Sequence, residues 1–493
     1  MKRNILWISA IALMSFTMMT SCSNDDVAES AGTGKSVVTA KALLGEVTRV
    51  AYTDPYTGAA AANITAAWES TDKLNVLGTT NGITTASVFT NSEISGNSAT
   101  FISTDATVPR SATMWKAVLG GKASVSKDTI TCSYDGQNGT LANLTNYDYM
   151  VATGTGISPT FDFTSGSTSS TRLTYFLRLK VPAGVRYVEF CSGTWTITGD
   201  ANTSSAASTS TVDKVDLGSN TTEAKIIYLA VPAINYFTSG LILTILSADG
   251  SKSEGKVISQ DFSAKGGYIN TYDMSGVKLI DRPTTSIDLG KRTVGTTEIN
   301  LGKWAPYNVG AMVVSFVAPE TYGDYYAWGS TEIKYLFPWS SYMCAKTDCG
   351  TVTADPICIW DGKAYNTQTP VDISGSKFDV ARVKWGKGWR MPTEVQLKNL
   401  RGIVKWESNY TYMGVSEVEG FKVTNNSATV FLPAAGYGSP RGALDTRKYG
   451  VYWASTQSVK YARSAWNLAL YEDYYDMGYT DRCVGQSVRA VAE

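Results

Sequence analysis

The densest cluster of side chains able to hold a ligand is Tyr471-Glu-Asp-Tyr-Tyr-Asp-Met-Gly-Tyr479, which interleaves four tyrosines with three acids. Aromatic faces stack on the CH surfaces of sugars while carboxylates accept hydroxyl hydrogens. Tyr471, Asp473, Tyr474, Tyr475 and Tyr479 therefore form a candidate glycan platform, with Asp324 in the ring-rich run Tyr322–Trp328 as an addition. Hydrolysis is a poorer use of the same acids, because adjacent Glu472 and Asp473 would point apart on a strand. The chain contains no histidine. That removes Ser-His-Asp and Cys-His nucleophiles, imidazole zinc sites and the commonest general base near neutral pH. Among enzymes a carboxylate hydrolase survives; the expectation is a binding protein with no catalytic residue, no metal and no cofactor.

The elements that must position these groups are strands. At 493 residues the chain exceeds one core and suggests several domains. Its 28 tyrosines and 13 tryptophans, set among Ser, Thr, Gly and Asn, are the palette of β-sandwiches and binding loops. Basic and acidic residues number 43 each, so no net field points to nucleic acid. Partners must be recognised by local surface.

Lys2 and Arg3 precede an apolar run from Ile5 to Met19, too short to span a bilayer and flanked like a signal peptide, assigned to residues 1–21. Met19-Thr-Ser-Cys22 resembles a bacterial lipoprotein box, and Ser23-Asn-Asp-Asp26 resembles the export signal of surface lipoproteins of the Bacteroides group. The resemblance implies acylation of Cys22, an outer-membrane anchor and exposure at the cell surface, with residues 22–41 as a tether. Cys132, Cys191, Cys344, Cys349, Cys358 and Cys483 remain, an even number for an oxidising compartment, as bridges or inert thiols.

Short strand signals begin at Val47–Tyr52 and continue through Ile64–Trp68 and Lys73–Leu77, separated by turns such as Asn81-Gly82. Thr48-Arg49, Trp68-Glu-Ser-Thr-Asp72, Leu74-Asn-Val76 and Tyr147-Asp-Tyr-Met-Val-Ala152 resemble the fimbrillin-type pilins, with Trp68 as a core plug. Leu173–Val181, Lys225–Val231 and Leu241–Ser247, the hairpin signal Asp249-Gly250 and the closing Gly266–Leu279 resemble a second domain of that type. The resemblance implies two tandem transthyretin-like, fimbrillin-like β-sandwiches, at 42–155 and 156–282. It also implies cleavage after Arg49, loss of the first strand and acceptance of a donor strand from a neighbouring pilin.

A proline-marked linker at Arg282-Pro leads to the last domain, 283–493. Lys303–Ala311, Pro319–Ser330, Trp385-Gly-Lys-Gly-Trp-Arg-Met-Pro-Thr393, Phe431–Tyr437, Tyr452–Ser455 and Gly485–Arg489 resemble an α+β domain family of Bacteroides and Fibrobacter surface proteins, C-type-lectin-like in fold. No Glu-Pro-Asn or Gln-Pro-Asp occurs, and Trp466-Asn-Leu468 lacks the last carboxylate of a calcium-sugar site. Thr393 and Glu394 open a helix with Leu397 and Leu400 on one face, while Arg390 and Arg489 suit internal clamps. The chain is thus expected to be mainly β and to act as a fimbrial tip or accessory adhesin, presenting its last domain to a host glycan or matrix protein. The tip expectation comes from the end of the sequence, which leaves only Ala492-Glu493 after the final strand and nothing to donate. The alternative is an outer-membrane glycan-capture lipoprotein that never polymerises.

Overall fold

A computed structural model describes residues 38–44, 61–63, 68–103, 108, 111–164, 170–192, 194–199, 204–206, 211–233, 240–258, 268–312, 321–333, 337, 372–439, 442–444, 448–458, 460–461 and 464–493. Over these residues the protein is mainly β. The segment from Val37 to Glu493 forms one compact unit. Among the described residues, no helix is long and apolar enough to cross a membrane.

Eleven strands make up the first part: β1 (Val38–Leu44), β2 (Ala61–Asn63), β3 (Lys73–Thr80), β4 (Ile83–Ser95), β5 (Ser98–Ser103), β6 (Met114–Leu119), β7 (Ala123–Ser126), β8 (Thr129–Cys132), β9 (Met150–Thr155), β10 (Thr160–Phe163) and β11 (Ser170–Arg172). Eight of them form one sheet in the order β10-β1-β5-β4-β3-β6-β9-β11. Asn81 and Gly82 both take positive φ, 51° and 77°, and turn β3 into β4 as the Asn-Gly pair requires. The sheet curls until β9 meets β10 at Gly154, where a Cβ would sit 3.1 Å from the Thr160 carbonyl oxygen. Trp68, Leu74, Phe89, Phe101, Trp115, Phe161 and Phe163 fill the interior. Trp68 is a core plug, edge-on to Phe101 at 5.2 Å.

The second part contributes β12 (Thr174–Val181), β13 (Tyr187–Ser192), β14 (Trp195–Thr198), β15 (Ser204–Ala206), β16 (Thr211–Asp216), β17 (Lys225–Pro232), β18 (Leu241–Leu246), β19 (Lys252–Ile258), β20 (Tyr268–Asp273) and β21 (Ile280–Asp281). Two sheets result, β17-β12-β20-β2 and β16-β13-β18-β19-β21. Every residue of β18 is buried. The reason is double coverage: Leu241, Leu243 and Ile245 enter the main core, while Ile242 and Thr244 meet a helix of the last part.

Strand pairing crosses the expected 155/156 boundary. β10 and β11 close the first sheet, β2 reaches into the second part beside β20, and β14 pairs with β8 in the order β15-β14-β8-β7. Leu77, Val118, Ile130 and Tyr149 share one core with Leu177, Phe190 and Ile245. β1 begins at Val38, inside the stretch expected as tether, because Val38, Ala40 and Ala42 alternate inward while Lys41 stays exposed.

In the last part, Ile287–Asp288, Lys303–Trp304, Val491–Ala492 and Trp389–Arg390 form a short sheet, with Val491–Ala492 as an internal strand. Two three-stranded sheets, Val404–Tyr412, Val415–Asn425, Ala428–Pro433 and Tyr449–Gln457, Ser464–Tyr471, Tyr475–Asp481, stand beside it, with two two-stranded hairpins, Lys291–Val294 with Thr297–Asn300 and Tyr437–Ser439 with Gly442–Leu444. Helix α1 is Val380–Trp385 and α2 is Glu394–Lys398. Thr393 caps α2 in a capping box with Gln396, and Leu397 and Leu400 are buried.

Candidate functional site

The tyrosine-rich hairpin is the turn 472–474 between Ser464–Tyr471 and Tyr475–Asp481, closed by the Tyr471 amide donating to the Tyr474 carbonyl at 2.7 Å. Register decides which rings can cooperate. Tyr475 and Tyr479 pair with Leu470 and Trp466, and Tyr471 pairs with Tyr449 on the neighbouring strand. Alternation therefore puts Tyr475 and Tyr479 on one face and Tyr449 and Tyr471 on the other.

On that second face the rings form a ladder. Tyr437 and Tyr449 lie 5.9 Å apart, Tyr449 and Tyr471 stack at 5.1 Å, and Tyr471 and Tyr474 stack at 4.4 Å with planes 12° apart. Both faces of Tyr471 are thus covered. Tyr474 is 57% exposed and keeps its outer face open. Glu472 and Asp473 are exposed beside it. On the opposite face Tyr475 Oη accepts from the Gly402 amide at 2.7 Å, and Tyr479 is held by Trp466 and Tyr461 at 5.6 and 5.0 Å. The candidate residues therefore divide: Tyr471 and Tyr474 stack beside the turn that carries Asp473, while Tyr475 and Tyr479 lie on the opposite face, with Tyr479 still 39% exposed.

Asp324 lies elsewhere. It accepts from Tyr326 Oη at 3.3 Å, and a Cβ on Gly310 would sit 2.0 Å from its Oδ2. Burial lifts its pKa to about 6, opposed by the Tyr326 hydrogen bond and the charge of Lys384. Lys384 belongs to a seam that the sequence reading missed.

At this seam α1 and the Trp385–Arg390 turn dock on the second sandwich. Thr244 Oγ1 donates to the Val383 carbonyl at 3.0 Å, Ser253 Oγ to that of Lys384 at 2.8 Å, and Arg282 Nε to that of Trp385 at 2.5 Å. Trp385 Nε1 donates to Asp281 O, Trp389 Nε1 to Pro283 O, and the Lys387 amide to Glu189 Oε2. Lys384 and Glu254, both nearly fully buried, form an ion pair inside the seam. Arg390 donates to Ser374, Met391 and Gln396, and the buried Arg489 to Asn308, Ala305, Pro306 and Tyr412. Both act as internal clamps.

The first strand is paired on both edges. β1 runs antiparallel to β5 over six residue pairs and parallel to β10 over four. Arg49 and Cys22 lie outside the described residues, as do Cys344, Cys349 and Cys358. Cys132 is a buried free thiol whose pKa is pushed far up by desolvation.

No protein-family model matches the chain, and no curated protein matches it. Two solved structures are similar at low level. One is a protein of Bacteroides fragilis provisionally assigned to cell adhesion, 10% identical with a TM-score of 0.23, the match covering 50% of this chain and 98% of that one. The other is a fimbrial protein from Bacteroides ovatus, 11% identical with a TM-score of 0.20, covering 86% of this chain and 95% of that one. TM-scores this low leave the role to be read from the chain's own geometry.

Proposed function

We propose that the chain is a lipid-anchored cell-surface adhesin of fimbrial type, at the tip or as an accessory subunit. Its first sandwich accepts a donor strand from another pilin, and its last, lectin-like domain presents the Tyr474 turn to a host glycan or matrix protein. The observation that carries the assembly half is the placement of β1. It precedes Arg49 in sequence and is hydrogen-bonded on both edges, to β5 and to β10. A cut after Arg49 would free it from the rest of the chain. Its departure would uncover two main-chain edges and the positions that Val38, Ala40 and Ala42 fill beside Phe101 and Phe161. An incoming strand with small or branched apolar residues at alternate positions would meet both needs, main-chain pairing supplying affinity and the pockets supplying register.

The recognition half is supported by the open face of Tyr474 next to Glu472 and Asp473. Cys22 would tie the protein to the outer membrane through acyl chains, more than one being needed for a firm anchor.

The test uses an arginine-specific protease and a fluorescent peptide of sequence Val38–Leu44. Cleaved protein should lose β1 and capture the peptide, while uncut protein and Arg49→Ala should capture none. Capture by uncut protein, or cut protein that neither releases β1 nor exchanges it, overturns the assembly half.

A further inference from the structure

The outward side of the first sheet carries a cleft of about 450 Å³, lined by Glu69, Asp72, Lys73, Asn75, Gly120 and Asn146 among others. It is distinct from the β1 slot. On β3, Leu74 and Val76 point into the enclosed core, so Asn75 faces the other way, opposite Val88. Asn75 is only 5% exposed. Among the described residues its amide has no hydrogen-bond partner. The side chain is mostly enclosed but lines the cleft, so its amide offers two donors and an acceptor there.

The surroundings are built to the same chemistry. The half-buried Asn146 adds a second unpartnered amide, while its carbonyl accepts from the Lys122 amide at 2.9 Å and fixes the β6–β7 turn. Gly120 has φ +143°, and a Cβ there would lie 2.2 Å from the Tyr149 ring, so glycine lets the turn close over that ring as one wall of the cleft. Asp72 Oδ2 accepts from the Glu69 amide at 2.8 Å, which fixes the loop holding both acids.

We infer that this cleft binds a neutral saccharide. Its volume falls within the roughly 300–1,000 Å³ of small-molecule sites. Its lining is polar, which disfavours an apolar ligand, and two carboxylates against the single ammonium of Lys73 disfavour an acidic one. Primary amides beside carboxylates match vicinal hydroxyls, each of which donates once and accepts.

The test is titration of the full chain with galactose, mannose, N-acetylglucosamine and their disaccharides, alongside sialic acid and glycine. At least one neutral sugar should bind saturably, and Asn75→Ala should weaken it tenfold or more with the melting temperature unchanged. Asn146→Ala, at a half-buried position, should weaken it as well and decides the matter if Asn75→Ala fails to fold. Tyr474→Ala should leave this binding intact, which separates the cleft from the hairpin. The inference is overturned if no neutral sugar binds, if only sialic acid or glycine binds, if binding survives the asparagine variants, or if Tyr474→Ala abolishes it.

Discussion

Replacing Lys384 with methionine tests the seam most severely. Methionine approximates the lysine stem and removes only the ammonium, leaving Glu254 opposite α1 with side-chain exposure of 6%. Desolvation already raises the Glu254 pKa, with Lys384 pulling it back down. Removing one member of a buried pair costs about 3–5 kcal/mol, because the survivor is uncompensated. Glu254 can escape by taking a proton, so the cost depends on pH. A carboxyl whose folded pKa lies above its unfolded value binds protons more readily in the folded state. Stability then falls as pH rises from the unfolded value through the folded one, and the penalty is complete only above both. Urea unfolding should therefore show the large loss at pH 7.5 and a partial recovery at pH 5. Trp385 and Trp389, buried beside the seam, supply the fluorescence signal. Glu254→Leu combined with Lys384→Met should regain most of the loss at both pH values, since no charge remains buried. A single variant losing less than about 1 kcal/mol, as a surface pair would, refutes the reasoning. So does a loss independent of pH, or a double variant no better than the single.

Three further outcomes are expected. Tyr474→Ala should weaken any glycan held at the hairpin about tenfold, the worth of roughly one stacked ring, whereas Tyr479→Ala should not, since its ring lies on the opposite face of the sheet from the Tyr471–Tyr474 stack; an array comparing the two decides. Gly255→Ala places a Cβ 1.6 Å from the Val383 carbonyl oxygen and must push α1 off β19, so thermal melting should show a loss of about 1–3 kcal/mol or more, and an unchanged melting temperature would contradict the close approach. Asp324, with its pKa lifted to about 6, costs stability as pH rises from its unfolded value near 4 through 6; Asp324→Asn should flatten that slope and gain on the order of 1–3 kcal/mol at pH 7.5, and a slope unchanged in urea titrations would sink the assignment.

What the sequence disclosed follows from the range of the interactions involved. The Asn81-Gly82 turn, the Thr393 cap and the plug Trp68 rest on neighbours or on one large apolar ring, and local pattern reveals them. The strand β1 was hidden in small residues, Val38-Thr-Ala-Lys-Ala, whose alternation is shallow. β2, β10 and β11 have three or four residues each, too few for a period, so their exchange between sheets had no local signature. Helix α1 escaped for the opposite reason: all six of its residues, including Arg382 and Lys384, are buried, so no polar face marks it. Lys384 could not be read as half of an ion pair because Glu254 stands 130 residues away. Among the tyrosines the strand parity of 475 and 479 was visible, but the stacking of Tyr474 on Tyr471 and Tyr449 depends on a turn and on a strand more than twenty residues earlier in the chain.

The seam explains why Trp385-Gly-Lys-Gly-Trp is so dense in glycine and tryptophan. The last carbonyls of a helix have no intrahelical donor, and α1 ends with Val383, Lys384 and Trp385. Their oxygens receive Thr244, Ser253 and Arg282, three donors from the second sandwich and its exit strand. The sandwich is in effect the C-cap of α1. Such bonds need short, directed contact, and Gly255 and Gly386 permit it: side chains there would strike the Val383 oxygen and Glu189 Oε2. Trp385 and Trp389 then cover the junction from the other side while sending their ring N–H groups back to Asp281 and Pro283. A purely apolar seam would hold the parts together but leave sliding cheap, because apolar contact has no direction. Directed bonds to three consecutive carbonyls fix one orientation of α1 on the second sandwich.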